Sequence, residues 1–254
     1  MRFGICTDMP YAAGVKEAGF DYIELKTYDV ALAPEREFEE WKALLKELEL
    51  PCEAVNFFYP PSLRMVGPDI DRKQIFEYID RALERAGRMG ARMITVGSSK
   101  SRMIPEGFPV ERAREQFVEQ LYRMGELAAP QGITVAIEPI RPSSTNFINT
   151  IGQAAQLCGM TGHDSVKVMA DYYQMHGAGD GVEEVIRYGE LIRHLHTIEL
   201  ERKCYPQNAE DEGQRRLFAA YRGERASIEG ADFTTVETAR AALAALKSYA
   251  GSKE

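Results

Sequence analysis

Ile133-Thr134-Val135-Ala136-Ile137 is a short, largely β-branched apolar run that ends on an acid, Glu138. A near-continuous apolar run of this kind suits a strand buried on both faces, the condition of a parallel sheet covered by helices. The same form recurs three times. Val166-Lys167-Val168-Met169-Ala170 precedes Asp171, Ile192-Arg193-His194-Leu195 precedes His196, and Ala226-Ser227-Ile228 precedes Glu229. The four polar residues stand 33, 25 and 33 residues apart, about the length of one strand–helix unit. As parallel neighbours, these strands would bring all four side chains to their carboxyl ends, where α/β enzymes carry their chemistry.

Working outward, β-type runs alternate with amphipathic helical runs along the whole chain. Strands are predicted at Phe3–Cys6, Tyr22–Leu25, Cys52–Asn56, Met93–Gly97, Ile133–Ile137, Val166–Ala170, His194–Ile198 and Arg225–Ile228. Helices are predicted near Tyr11–Ala18, Arg36–Leu48, Lys73–Met89, Val110–Ala129, Thr150–Cys158, Val182–Tyr188, Ala209–Tyr221 and Thr234–Tyr249. Gly19, Gly90 and Gly132 each fall just past a helical run, where the chain must turn into the next strand. Eight such units in 254 residues, with no linker between them, predict an α/β protein: a single (β/α)8 TIM barrel spanning 1–254. An open doubly wound sheet has the same periodicity, but its first turn usually carries a glycine-rich phosphate loop, and Gly4-Ile5-Cys6-Thr7-Asp8 is not one. The glycine-rich stretch 176–181 is expected to be a flexible loop after the sixth strand.

Hydrophobic residues make up 44% of the chain and the formal charge is −8. The charge argues against nucleic acid as a partner, since phosphate backbones need clustered Lys and Arg. A small polar substrate fits better. No apolar stretch approaches the roughly 20 residues that span a bilayer, so no membrane partner is expected. The 4 cysteines are scattered, form no CxxC pair and follow no apolar leader, which suggests reduced thiols in a cytoplasmic protein.

Three carboxylates and one imidazole form an oxygen-rich donor set that suits one divalent cation, Mn²⁺ by preference, with Mg²⁺, Co²⁺ and Zn²⁺ as alternatives. Without a cation the carboxylates would repel each other, and at least one would take a proton. An ion left partly open could chelate sugar oxygens and stabilise an enediolate, while two of the carboxylates served as acid and base. His194 and His196 lie two apart and share one face of a strand; His196 is the expected ligand, and His194, one layer deeper, a structural residue.

These motifs resemble the xylose isomerase-like TIM barrels, a superfamily of sugar and sugar-phosphate isomerases and epimerases that also includes endonuclease IV. The resemblance spans essentially the whole chain. It rests on Ile137-Glu138-Pro139 with Asn146-Phe147-Ile148-Asn149-Thr150, on Met169-Ala170-Asp171-Tyr172-Tyr173, on His194-Leu195-His196-Thr197, and on Tyr221-Arg222-Gly223 leading to Ser227-Ile228-Glu229-Gly230. It is strongest toward the ketose 3-epimerase and hydroxypyruvate isomerase branches. For those branches it implies that Glu138 and Glu229 bind metal and also move the proton, that Asp171 and His196 complete the ligand set, and that Arg202, six residues past the histidine, binds substrate oxygen. It also implies a carbohydrate substrate and a homo-oligomer, dimer or tetramer.

Two positions depart from the pattern. Gln174 stands where those branches place a histidine on the substrate carbonyl, with His176 two residues on, and Ser144 stands where the epimerases have a glutamate. Glutamine can donate and accept hydrogen bonds but does not shuttle protons at neutral pH. A lyase on the same scaffold, resembling inosose dehydratase or the subunit of a C-glycoside-cleaving complex, and a non-catalytic sugar-binding subunit are therefore carried as alternatives. An endonuclease IV-like enzyme would need three zinc ions and more histidines than the 4 present. Other strand ends offer further candidates for the same mouth: Glu24, Asn56 followed by the aromatic run Phe57-Phe58-Tyr59, and Gly97-Ser98-Ser99-Lys100. Lys100, Arg102 and Arg141 are candidates to meet a substrate phosphate.

Overall fold

The computed structural model describes residues 1–201, 203–230 and 233–251. Eight strands run in chain order: Arg2–Cys6 (β1), Tyr22–Lys26 (β2), Cys52–Asn56 (β3), Met93–Val96 (β4), Thr134–Ile137 (β5), Val166–Asp171 (β6), Ile192–Thr197 (β7) and Arg225–Ile228 (β8). Each pairs in parallel with the next, and β8 returns to β1, which closes the barrel. The predicted (β/α)8 architecture is the one observed.

The helices are Ala12–Ala18 (α1), Thr27–Leu32 (α2), Glu35–Glu47 (α3), Arg72–Met89 (α4), Val110–Ala128 (α5), Ile151–Thr161 (α6), Tyr172–Ala178 (α7), Val182–Arg187 (α8), Glu212–Ala220 (α9) and Val236–Tyr249 (α10). Two short ones, α2 and α7, were not predicted; each follows its strand directly, with no loop between them to mark the change of period. The stretch 176–181 is accordingly not one loop. Its first half completes α7, started by Asp171, whose carboxylate accepts the Gln174 N–H at 2.7 Å as an N-cap. The glycines predicted to end helices, Gly19, Gly90 and Gly132, all sit in the left-handed region.

Alternation along the strands separates two sets of side chains. Ile23 and Leu25, Ile137, Val168 and Leu195 belong to the large core between barrel and helices. Tyr22, Ala54, Met93, Ala136 and Met169 form a separate cluster that fills the barrel interior. Two residues further along the same strands, on the same face, come Glu24, Asn56, Glu138 and Asp171. The interior is thus apolar below and polar toward the carboxyl ends. Register shifts fall between Ile23 and Glu24 in the β2–β3 pair and between Val168 and Met169 in the β6–β7 pair.

Candidate metal centre and active site

Glu138, Asp171, His196 and Glu229 converge, each offering one donor atom, with all four atoms within 4.8 Å of one another. Strand ends β5 to β8 supply them in order. Backbone bonds seat the two glutamates: the Glu138 N–H donates to Val96 O at 3.2 Å, and the Glu229 N–H to Thr197 O at 3.1 Å. Their carboxyls are then steered by close neighbours. A Cβ on Gly97 would lie inside the Glu138 carboxylate, so glycine at the end of β4 is what admits that side chain. Asn56 Nδ2 donates to Glu229 Oε1 at 3.2 Å. Asp171 divides its work, one oxygen capping α7 and Oδ2 standing 3.8 Å from His196 Nδ1.

His196 Nδ1 lies 2.9 Å from Glu229 Oε2, while its Nε2 lies 2.9 Å from Glu24 Oε1. Glu24 also meets His194 Nε2 at 3.0 Å and accepts the Ser227 hydroxyl at 2.6 Å, and Ser227 Oγ lies 2.8 Å from the Tyr22 hydroxyl. Because a carboxylate only accepts, both imidazoles carry a proton on Nε2 toward Glu24; His196 Nδ1 faces Glu229 and Asp171, and its own proton there is the one that a cation held by the carboxylates would replace. A histidine that donates one ring N–H to a carboxylate and offers the other nitrogen outward is the usual arrangement of a metal-ligating imidazole.

The electrostatics agree. Burial, followed by the Glu229 and Asp171 charges, holds Glu138 well above the usual carboxylate range. Burial and then Glu229 push Asp171 up to about 6. Burial alone would lower His196, but the Glu24 and Glu229 carboxylates outweigh it and raise the imidazole well above its ordinary value. Burial likewise opposes the charge on Glu24, and His196 and His194 overcome it, holding that acid well below its usual range. Every shift at the four converging groups for which one is seen favours added positive charge. Three carboxylates and one oriented nitrogen therefore fit a divalent cation both in donor chemistry and in charge.

The cluster lies at the floor of a cavity of about 450 Å³, a size suited to a small molecule. Asn56 and Gln174 line it, as expected from the sequence, although both are also occupied: Asn56 by Glu229, and Gln174 through Oε1, which accepts the Arg141 N–H at 3.3 Å. Glu24, expected to touch substrate, is instead fully buried beneath the cluster between the two histidines. Arg202 lies outside the described residues. Of the aromatic run, Phe58 and Tyr59 are core and only Phe57, 42% exposed, reaches the cavity. His176 is exposed on α7 and lines a different depression.

Arg102 is not at the mouth for a phosphate. It is fully buried, donating to the carbonyl oxygens of Glu138 at 2.7 Å and of Val96, and so locks the two strand ends that frame Glu138. Sequence reasoning missed Cys6, whose Sγ lies 3.8 Å from His196 Nε2, and Lys203, which lines the cavity across Tyr173 from Arg141. Cys6 ends β1 on its inward face and was legible by alternation. Lys203 sits in a charged loop with no periodicity to place it.

Comparison with known proteins agrees with this architecture. The family model described as the xylose isomerase-like TIM barrel matches residues 12–218. A 3-dehydro-D-guloside 4-epimerase of Escherichia coli (strain K12) is 26% identical over 194 residues, 73% of this chain and 71% of that protein. A D-psicose 3-epimerase of Agrobacterium fabrum (strain C58) is 26% identical over 207 residues, 76% of this chain and 68% of that one. A crystal structure of D-psicose 3-epimerase obtained in the presence of D-fructose superposes with a TM-score of 0.83 at 20% identity, covering 96% of this chain and 97% of that one. The chain belongs to the xylose isomerase-like TIM barrel family.

Proposed function

We propose that this protein is a divalent-metal-dependent isomerase or epimerase of a small sugar or sugar derivative, with Glu138 and Glu229 as its acid–base pair. The observation that carries the reading is the convergence of Glu138, Asp171, His196 Nδ1 and Glu229 within 4.8 Å at the floor of the cavity. The epimerase names of its relatives support it, and they favour isomerisation over elimination. Mn²⁺ is the preferred ion because the donors are mostly oxygen.

When bound, such an ion supplies positive charge where an α-hydroxycarbonyl develops negative charge on its oxygens. The protein's own groups do the rest. Glu138 and Glu229 enter from β5 and β8, with Asp171 and His196 between them, and so flank a sugar held above the cluster. One glutamate takes the proton from the carbon beside the carbonyl. The other returns a proton to the opposite face for epimerisation, or the first returns it to the adjacent carbon for isomerisation. Asn56 holds the Glu229 carboxyl and Arg102 holds the backbone of Glu138, which limits the positions the two can take. The four cysteines are unpaired, which supports a reducing compartment such as the cytoplasm.

The test is solvent exchange. In ²H₂O with Mn²⁺ and a panel of neutral ketoses, among them D-psicose and D-fructose, together with sugar phosphates and keto sugar acids, one substrate should acquire deuterium on a carbon adjacent to its carbonyl, with roughly one metal held per chain. Glu229→Gln should remove exchange without changing the fold. A folded, metal-loaded protein that exchanges none of the panel would overturn the reading.

A further inference from the structure

In the cavity that also holds the acidic cluster, Arg141 and Lys203 stand over the same ring. The Arg141 guanidinium carbon lies 4.1 Å from the Tyr173 ring centroid and the Lys203 ammonium 5.6 Å from it, and all three side chains line the cavity that holds Glu138, Asp171 and Glu229. Neither cation has a carboxylate within ion-pair distance among the described residues. Lys26, by contrast, also lines this cavity but is committed to Asp8 at 2.8 Å.

Arg141 is built in rather than loose. Its backbone N–H is held by Gln174, its Nε donates to Ser143 Oγ at 2.9 Å, and its Nη1 is buried with no hydrogen-bond acceptor. The stem runs against Gly177 on α7, where a Cβ would come within 2.6 Å of Arg141 Cδ. A buried, unsatisfied guanidinium N–H is costly unless an acceptor meets it when the site is filled. Ser99 and Ser144 also line the cavity. In a chain of net charge −8, an anion is drawn in only by local positive groups such as these.

We propose that the substrate is an anionic sugar derivative, carrying a carboxylate or a phosphate that Arg141 and Lys203 bind while its hydroxycarbonyl end faces Glu138 and Glu229. This rests on the isomerase reading for the identity of the other end. Gln174 then acts as the positioning residue of Arg141, fixing its backbone.

The experiment uses three six-carbon polyols that need no turnover: sorbitol, D-gluconate and sorbitol 6-phosphate, titrated calorimetrically into metal-loaded wild type, Arg141→Met, Lys203→Met and the double variant, each checked by thermal melt for retained fold. At least one anion should bind about tenfold or more tightly than sorbitol, the value of one good charge-assisted hydrogen bond. That preference should shrink in each single variant and vanish in the double, with sorbitol unaffected. The favoured anion identifies carboxylate or phosphate. Equal or undetectable binding of all three, or a preference that survives the double variant, overturns the proposal. Because binding is read without turnover, the absence of solvent exchange would sink the isomerase reading and leave this result standing.

Discussion

Glu24 and His196 meet across the barrel interior, from β2 to β7, with Glu24 Oε1 2.9 Å from His196 Nε2. The pair settles which imidazole nitrogen faces the carboxylate cluster, although Glu24 itself does not touch the cavity. A buried carboxylate is tolerated there because two imidazoles and the Ser227 hydroxyl satisfy it.

Glu24→Gln keeps the size of the side chain but gives the histidines an amide whose nitrogen cannot accept their N–H. If Glu24 orients His196 as a ligand, Mn²⁺ affinity should fall by roughly 10- to 100-fold, as read by competition with a metallochromic chelator. An unchanged affinity would show that His196 does not ligate through Nδ1.

Gly97→Ala places a methyl where the Glu138 carboxylate now lies. Turnover should drop by about 10² or more, as expected for a displaced acid–base group, while the circular dichroism spectrum stays native. Gly159→Ala serves as the control. A Cβ there meets nothing within 4 Å and the residue is inside α6, so that variant should be neutral or more stable by about 0.5–1 kcal/mol.

Arg102→Met removes the donors to the Glu138 and Val96 carbonyls from a fully buried position. Leaving the buried Glu138 carbonyl without this donor, while Val96 O keeps only the Glu138 N–H, should cost about 1–3 kcal/mol, visible as a lower urea midpoint with an unchanged slope. A loss under 1 kcal/mol would mean that water replaces the guanidinium.

Metal removal gives a fourth measurement. A cation that binds only the folded chain at 100 times its Kd adds about 2.7 kcal/mol to stability, which for a chain of this size is a rise in Tm of several degrees. Treatment with EDTA should lower Tm by that amount, and added Mn²⁺ should restore it. In a variant carrying both Glu138→Gln and Asp171→Asn, the difference between treated and untreated protein should disappear.

The sequence by itself determined the strands, their parallel order and the four polar residues that close β5 to β8. Apolar runs and the residues that end them are local features, and a period of two decides which side chains share a face. Even Cys6, at the inward end of β1, was open to that reading. What only the tertiary structure decided is the depth and pairing of each group. Glu24 was grouped with the strand ends, yet it lies beneath the cluster, because β2 runs on to Lys26, leaving Glu24 level with Ala54 of the interior layer, and because two histidines from across the barrel claim its oxygens. Arg102 and Arg141 were equivalent loop cations in the sequence; one became a buried strand lock and the other a wall of the cavity. Charges take their role from the groups folded against them, and at these positions those groups are brought in from other strands and loops of the barrel.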